Sequence, residues 1–406
     1  MGYSRDVIKG VSWGTFLDLS AKGSAVVKMA ILARIFSPGQ IGTFGIGLLV
    51  LGLLELITET GINVFLVQEK EKIDYYLDTA WVVSIGRGIL ISLILLLAAY
   101  PVSLFFKDSN AFQLILAISL VPFLRGFINP AIVTLQKNLK FRQDAFYKFS
   151  ISTIEDISTI IFSLITLSVF SLVFGMIVGV VIEVILTFII VRERPKFSIN
   201  RLHLGKIVGR GKWVTLAGVF DYFFEHTDDV AVGRLLSVSS LGIYQYSYNL
   251  STLPLKSVAQ QLGRVTFPVY VKLAEDRQRV RRAFVKTFWL TLAVVVPFGI
   301  LLFFLSEPAV RIILGDKWLP AIPVLRVLAL FGIVRALTNL FNPLFLAFKK
   351  QEYVTITTLV SIVVLGILII PMTLNFGLVG AAISALIGSV FGLPTSFFLF
   401  NKVFKD

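Results

Sequence analysis

Apolar stretches of about 20 residues recur along the whole chain, separated by short breaks that hold charges, prolines and glycines. A helix rises about 1.5 Å per residue, so a stretch of about 20 residues crosses a hydrocarbon layer about 30 Å thick. The pattern predicts spans near Val11 to Phe36, Ile41 to Val67, Thr79 to Phe105, Phe112 to Leu135, Ala145 to Leu167 and Leu172 to Val191. It continues with Trp213 to Leu236, Leu241 to Tyr270, Phe284 to Leu305, Ile322 to Ala347, Val354 to Leu374 and Leu378 to Phe400. These divisions predict an all-α integral membrane protein of about twelve transmembrane helices, since helices satisfy their own backbone groups in lipid. The first stretch carries Asp18, Lys22 and Lys28 with no compact core before a small-residue cleavage site. It is expected to stay in the mature protein rather than to act as a signal peptide.

Charge in the breaks tests the division, because cytoplasmic loops carry the excess of Lys and Arg. One side collects Arg5 and Lys9, Lys70 and Lys72, Lys137, Lys140, Arg142 and Lys148, and the run from Arg192 to Lys212. It then takes Lys272, Arg277, Arg279, Arg281, Arg282 and Lys286, then Lys349 and Lys350, and finally Lys402 and Lys405. The other side holds only Arg34, Lys107, Arg234, Arg311 and Lys317. The alternation predicts that both termini are cytoplasmic, in a multi-pass protein of the cell (inner or plasma) membrane.

Composition changes this picture little. Of 406 residues, 56% are hydrophobic, 15% are charged and 36 are phenylalanine, with a mean hydropathy of +0.86. A water-soluble fold of that balance would lack the polar surface to cover itself. A net charge of +14 raises nucleic acid as a partner, but the basic residues lie between apolar runs rather than on one soluble face, so no nucleic acid is expected. Without cysteine, and with His203 and His226 as the only histidines, neither a metal site nor any other cofactor is expected.

The chain also reads as a duplication. A shift of 200 residues brings Trp13 onto Trp213, Thr15 onto Thr215, Arg34 onto Arg234, Ser37 onto Ser237, Gly42 onto Gly242 and Phe44 onto Tyr244. Later the register drifts by about ten residues, where Arg125 and Asn129 meet Arg335 and Asn339, and Lys137 with Phe141 resembles Lys349 with Tyr353. The expected organisation is an N-terminal six-helix lobe over 1–191, a basic cytoplasmic linker over 192–212 and a C-terminal six-helix lobe over 213–406. Both repeats start on the same side, so they are parallel and related by a pseudo-two-fold along the membrane normal. The linker interleaves Phe197, Leu202, Leu204 and Ile207 with its bases, as a positive-inside anchor or a helix lying on anionic lipid would.

Ionisable residues at membrane depth cost several kcal/mol unless they face protein or a watery cavity. Those expected to line a cationic cleft between the lobes and bind substrate are Lys22, Lys28, Arg87, Arg125, Lys256, Arg264 and Arg335. A basic lining suits an anionic substrate, because Arg meets phosphate with a planar fork and Lys with a point charge. Asp18, Glu55, Glu59, Asp221, Glu225, Asp228 and Asp229 are the candidates for ion coupling, since neighbouring, partly desolvated acids can exchange a proton or hold a cation. Each charge also has a plainer reading, in which pairs such as Asp18 with Lys22 neutralise one another in a packed bundle. Nothing in the set forms the nucleophile and base of a catalytic site.

Several of these stretches resemble a known family. Asp229-Val-Ala-Val-Gly233-Arg234-Leu-Leu with Leu241-Gly242-Ile-Tyr244 resembles the seventh-helix pattern of the Wzx-like polysaccharide transporters. These belong to the MOP superfamily of multidrug, oligosaccharidyl-lipid and polysaccharide exporters. Leu32-Ala-Arg34-Ile-Phe-Ser-Pro38-Gly-Gln-Ile-Gly42, Glu59-Thr-Gly61-Ile-Asn-Val-Phe-Leu-Val-Gln68 and Leu135-Gln-Lys-Asn-Leu-Lys-Phe141 look like its first-loop, second-helix and fourth-loop patterns. The resemblance covers the whole chain. It implies a MATE-like V-shaped transporter, and a flippase that carries a lipid-linked oligosaccharide on a polyprenyl diphosphate from the cytoplasmic to the outer leaflet for cell-surface polysaccharide assembly. The partners implied are that substrate, membrane lipids and a coupling ion, H+ or Na+. Two alternatives stay open: a cation-coupled drug or metabolite antiporter of the same fold, and a membrane glycosyltransferase using Asp228 and Asp229 with a metal.

Overall fold

The computed structural model describes residues 2–59, 61–68 and 73–404, and their regular structure is entirely helical. The first half contains α1 (Gly2–Ile35), α2 (Pro38–Ile57), α3 (Ile62–Gln68), α4 (Asp74–Phe106), α5 (Ser109–Ile118), α6 (Leu120–Arg125), α7 (Thr134–Lys137), α8 (Phe141–Thr166) and α9 (Phe170–Ile190). The second contains α10 (Arg201–Leu235), α11 (Val238–Leu273), α12 (Arg277–Phe304), α13 (Ser306–Ala309), α14 (Ala321–Asn339), α15 (Phe341–Ala347) and α16 (Gln351–Val403).

Among the described residues seven helices are long and apolar enough to cross a membrane, or eight if the bent helix pair Ser109–Arg125 and Pro130–Lys137 is one span. Helices α1, α10 and α11 have the length but carry more polar sequence, such as Lys22 and Lys28 on α1. Helix α16 holds both of the last two expected spans in 53 residues, with non-helical backbone at Gly377 where they meet (φ 60°, ψ −140°). Large apolar side chains stay uncovered along the spans, Leu97 at 79% and Phe304 at 72% exposure among them. Lipid is the solvent that suits such a surface, and the protein is a multi-pass membrane protein.

Two compact units divide the chain. One comprises residues 1–36 and 43–219, the other residues 37–42 and 220–406. In the first, α1, α8 and α9 pack together, and α4 lies against α5 and α6. In the second, α14 packs against α11, α12 and α16, around a core that includes Phe284, Phe341, Phe345, Tyr353 and Phe400. The linker is fastened to the first unit. The Lys196 amide donates to Asp78 (2.8 Å), the Asn200 amide donates to the Thr79 hydroxyl (3.1 Å), and Phe197 packs on Trp81 with ring centroids 4.7 Å apart. His203 lies against the rings of both Tyr75 and Tyr76.

The duplication is visible in backbone detail. Ser37 and Ser237 each accept an amide hydrogen from the residue three further on, Gln40 (3.3 Å) and Ser240 (3.0 Å), at the starts of α2 and α11. Gly42 and Gly242 then make reciprocal contacts: a Cβ on Gly42 would strike the Val238 carbonyl, and one on Gly242 the Pro38 carbonyl. Further along, Leu139 and Lys349 are both left-handed at φ 57°. In each case the next amide bonds five residues back, Lys140 to Leu135 and Lys350 to Phe345. These turns are 210 residues apart, the spacing of Arg125 and Arg335. The sequence match of Lys137 with Lys349 is therefore two residues out of structural register.

Candidate functional site

The first unit gathers charge where α2, α4 and α6 meet. Gly88 and Gly126 allow the close approach: a Cβ on Gly88 would collide with the Pro122 carbonyl and lie 3.2 Å from the Gly126 Cα. Arg87 and Arg125, each preceding one of these glycines, are thereby directed at the end of α2. The Arg125 guanidinium forms an ion pair with the Glu55 carboxylate. Arg87 donates to the Glu55 carbonyl, to the Thr58 hydroxyl (3.2 Å) and to the Glu59 carboxylate (3.3 Å).

The fourth expected span breaks immediately after Arg125, turning by 68° before Pro130. Pro130 has no amide hydrogen to give, and the Asn129 side chain caps the turn by accepting from the Ala131 amide (3.0 Å). The rest of the break is satisfied locally: Trp81 donates its indole hydrogen to the Phe127 carbonyl (3.2 Å), and the Asn129 amide donates to Thr187 (3.2 Å). Unwound backbone at membrane depth is tolerated where it lines a cavity, and a cavity of about 320 Å³ opens here, with Glu55, Arg87 and Arg125 in its wall. Helices α8 and α9 close it. Its lining there includes Tyr147, whose hydroxyl donates to Glu183 (3.2 Å), and Lys148, paired with Asp144 at 2.7 Å.

A further ion pair joins α1 to α8. Lys28 meets Asp156 at 2.5 Å, and the Ser24 hydroxyl donates to the same carboxylate (2.7 Å). Lys22 lies half-buried on α1.

The second unit holds a separate cluster. Arg335 on α14 stands over the Phe224 ring, 4.1 Å from its centroid, with its terminal nitrogen 3.7 Å from Glu225. Its buried Nε has no hydrogen-bond partner among the described residues. Asp228 is buried and accepts from the Tyr244 hydroxyl (2.7 Å) and the Asp229 amide (3.0 Å), while Asp229 lies 3.1 Å from His226 Nδ1.

Of the expected cations, Lys28, Arg87, Arg125 and Arg335 are therefore each in an ion pair within one unit. Of the expected acids, Glu55, Glu59 and Glu225 are their partners, and Asp228 and Asp229 sit with Tyr244 and His226. The side chains of Asp18, Asp221, Lys256 and Arg264 lie outside the described residues. The sequence reading left Asp156, Glu183, Tyr147 and the Asp144–Lys148 pair out of the site. Asp144 and Lys148 are one helical turn apart, a spacing that does signal a pair; Asp156 carries no such mark, because its partner is on α1.

Long apolar helices with uncovered faces, and charges paired from helix to helix among the described residues, are the build of a multi-pass membrane transporter. The chain belongs to the polysaccharide biosynthesis protein family, whose model matches residues 31–323. It is 23% identical over 390 residues to the lipopolysaccharide biosynthesis protein WzxC of Escherichia coli strain K12, covering 93% of this chain and 79% of that one. Among solved structures the fold is that of the lipid II flippase MurJ in an inward closed conformation, with a TM-score of 0.80 at 19% identity, over 96% of this chain and 89% of the other. An inward-facing multidrug resistance MATE transporter of the MOP superfamily is similar at a TM-score of 0.69 and 14% identity, over 96% and 99%.

Proposed function

We propose that the protein is a flippase that moves an oligosaccharide linked to a polyprenyl diphosphate from the cytoplasmic to the outer leaflet by alternating access, with no covalent chemistry. Family membership and the likeness to WzxC and MurJ support this reading. The side-chain observation that carries it is Arg335. A guanidinium held against an aromatic ring, 3.7 Å from its only carboxylate partner in the described structure and with one buried donor unused, is poised for a stronger acceptor. A diphosphate is such an acceptor, because its several anionic oxygens can meet the planar guanidinium fork at bonding distance, where Glu225 stays at 3.7 Å. Lys22, Lys28, Lys256 and Arg264 are the further cations assigned to the same charge, Lys28 by exchanging Asp156 for phosphate.

In this reading the two repeats change their exposure as rigid groups of helices, biased by the difference in ligand affinity between the two states. Asp228 and Asp229, with Asp18, Asp221 and Glu225, are the positions for a coupling ion. The protein lies in the cell membrane with both termini in the cytoplasm, in keeping with the loop charges. The test is leaflet translocation of a fluorescent lipid-diphosphate saccharide in liposomes. Arg335→Glu abolishes translocation while the protein stays monodisperse in detergent, and Arg335→Lys keeps a fraction of it. Wild-type rates from the charge-reversed protein would refute the assignment.

A further inference from the structure

We infer that the cavity inside the first unit is a subsite for one uncharged pyranose ring, a neutral hexose or an N-acetylhexosamine, and not for the diphosphate. The inference rests on the flippase reading, since it places part of that substrate.

Charge balance is the first observation. The wall carries three bases, Arg87, Arg125 and Lys148, and three acids, Glu55, Asp144 and Glu183, so its formal charge is zero. The bases are also occupied. Arg125 is on Glu55, Arg87 is divided among Thr58, Glu59 and the Glu55 carbonyl, and Lys148 is on Asp144. A diphosphate entering here would have to break these pairs and then face the displaced carboxylates together with Glu183. Separating pairs already in place and leaving their carboxylates beside an anion opposes its entry. A neutral guest meets no such barrier.

The second observation is the supply of hydrogen-bonding groups. Asn63 and Gln136 present side-chain amides to the cavity, and Ser84 and Tyr147 present hydroxyls beside the carboxylates and guanidinium groups already named. A sugar hydroxyl both donates and accepts. It can therefore give its hydrogen to Glu183 or Glu55 and take one from an amide or an arginine while the ion pairs stay intact. That two-way matching serves polyols and is wasted on an anion, which only accepts.

Size and place agree. A cavity of about 320 Å³ is of the size that holds small-molecule ligands, and it admits a pyranose with its substituents. The cavity lies at the broken span, where Trp81 and Asn129 hold the opened backbone. Discontinuous helices are where transporters build their binding sites. The matching place in the other repeat differs: Arg335 lies within α14, and Asn339 ends it one residue before α15, without a bend like that after Arg125.

The experiment is equilibrium binding to the full chain in nanodiscs, using a set of p-nitrophenyl hexosides and N-acetylhexosaminides as probes and inorganic pyrophosphate as competitor. At least one glycoside binds saturably, is not displaced by excess pyrophosphate, and binds at least tenfold more weakly to the Asn63→Ala/Gln136→Ala double variant. Ile132→Trp, which fills the chamber from its wall, lowers affinity in the same way. Three results would each overturn the inference: no glycoside binds saturably, pyrophosphate competes for the site, or both variants bind like wild type. Translocation of labelled lipid by the wild-type protein is measured beside it. If translocation occurs and glycoside binding fails, the subsite falls alone; if translocation is absent, the flippase reading falls and the binding result is judged by itself.

Discussion

Arg125, the last residue of a half-helix, holds the carboxylate of Glu55 from a position 70 residues later in the chain. The two side chains are 40% and 31% exposed, so water screens part of their attraction. Breaking one side of a fully buried pair costs about 3–5 kcal/mol and an exposed pair contributes about 0–1; about 1–3 kcal/mol is expected here. Arg125→Gln therefore lowers the melting temperature in detergent, and adding Glu55→Gln recovers a large part of the loss. A double-mutant cycle by thermal unfolding reads the coupling directly, and strict additivity would show that the pair does nothing for the fold.

Gly88 and Gly86 are two residues apart on α4 and should respond oppositely to alanine. A Cβ at Gly88 runs into the Pro122 carbonyl, whereas one at Gly86 meets nothing within 4 Å. Gly88→Ala is expected to destabilise by about 1–3 kcal/mol through overpacking. Gly86→Ala stabilises slightly or is neutral, as alanine usually is in a helix. Melting curves of the two variants side by side decide the matter, with equal behaviour counting against the close contact of α4 and α6.

The reciprocal contact of Gly42 and Gly242 makes a matching pair of predictions. Each alanine substitution drives a methyl group into a backbone carbonyl of the opposite repeat, and backbone cannot swing aside as a flexible side chain can. Gly42→Ala and Gly242→Ala both lower stability, while Gly39→Ala, whose nearest neighbour is the Ser37 hydroxyl at 3.9 Å, does not. Protease resistance of the three purified variants is a sufficient readout.

Tyr244→Phe removes the hydroxyl that donates to buried Asp228. Leaving a buried acceptor short of one partner costs about 1–3 kcal/mol. The variant should melt earlier than wild type, and Asp228→Asn in the same background should restore part of the difference because the amide is uncharged. A Tyr244→Phe protein with unchanged melting would mean that another donor takes the place of the hydroxyl.

The helices and the duplication were readable because both leave periodic marks. Long apolar runs set the spans, and Ser37 with Ser237 and Gly42 with Gly242 recur where the same turn is built twice. What the pattern could not give was lateral contact. The partner of Lys28 is Asp156, 128 residues later on α8, and no spacing along α1 points to it. Nor did the run from Phe112 to Leu135 announce its 68° bend; Gly126 and Pro130 were there to be read, but the hydroxyl and indole groups that stabilise the bend come from Thr187, far along the chain, and from Trp81. Val354 to Phe400, by contrast, was read as two spans, and the backbone does break between them at Gly377. An apolar run reports the solvent it faces, not the neighbour against which it turns.

The allotment of residues 37–42 to the second compact unit bears on any attempt to assemble the protein from pieces. A fragment starting at Trp213 would cover residues 220–406 and still lack the six residues 37–42 of the same unit. Supplied as two polypeptides cut in the linker, the halves would each be unfinished, and each would need the other present during insertion to reach its mature form.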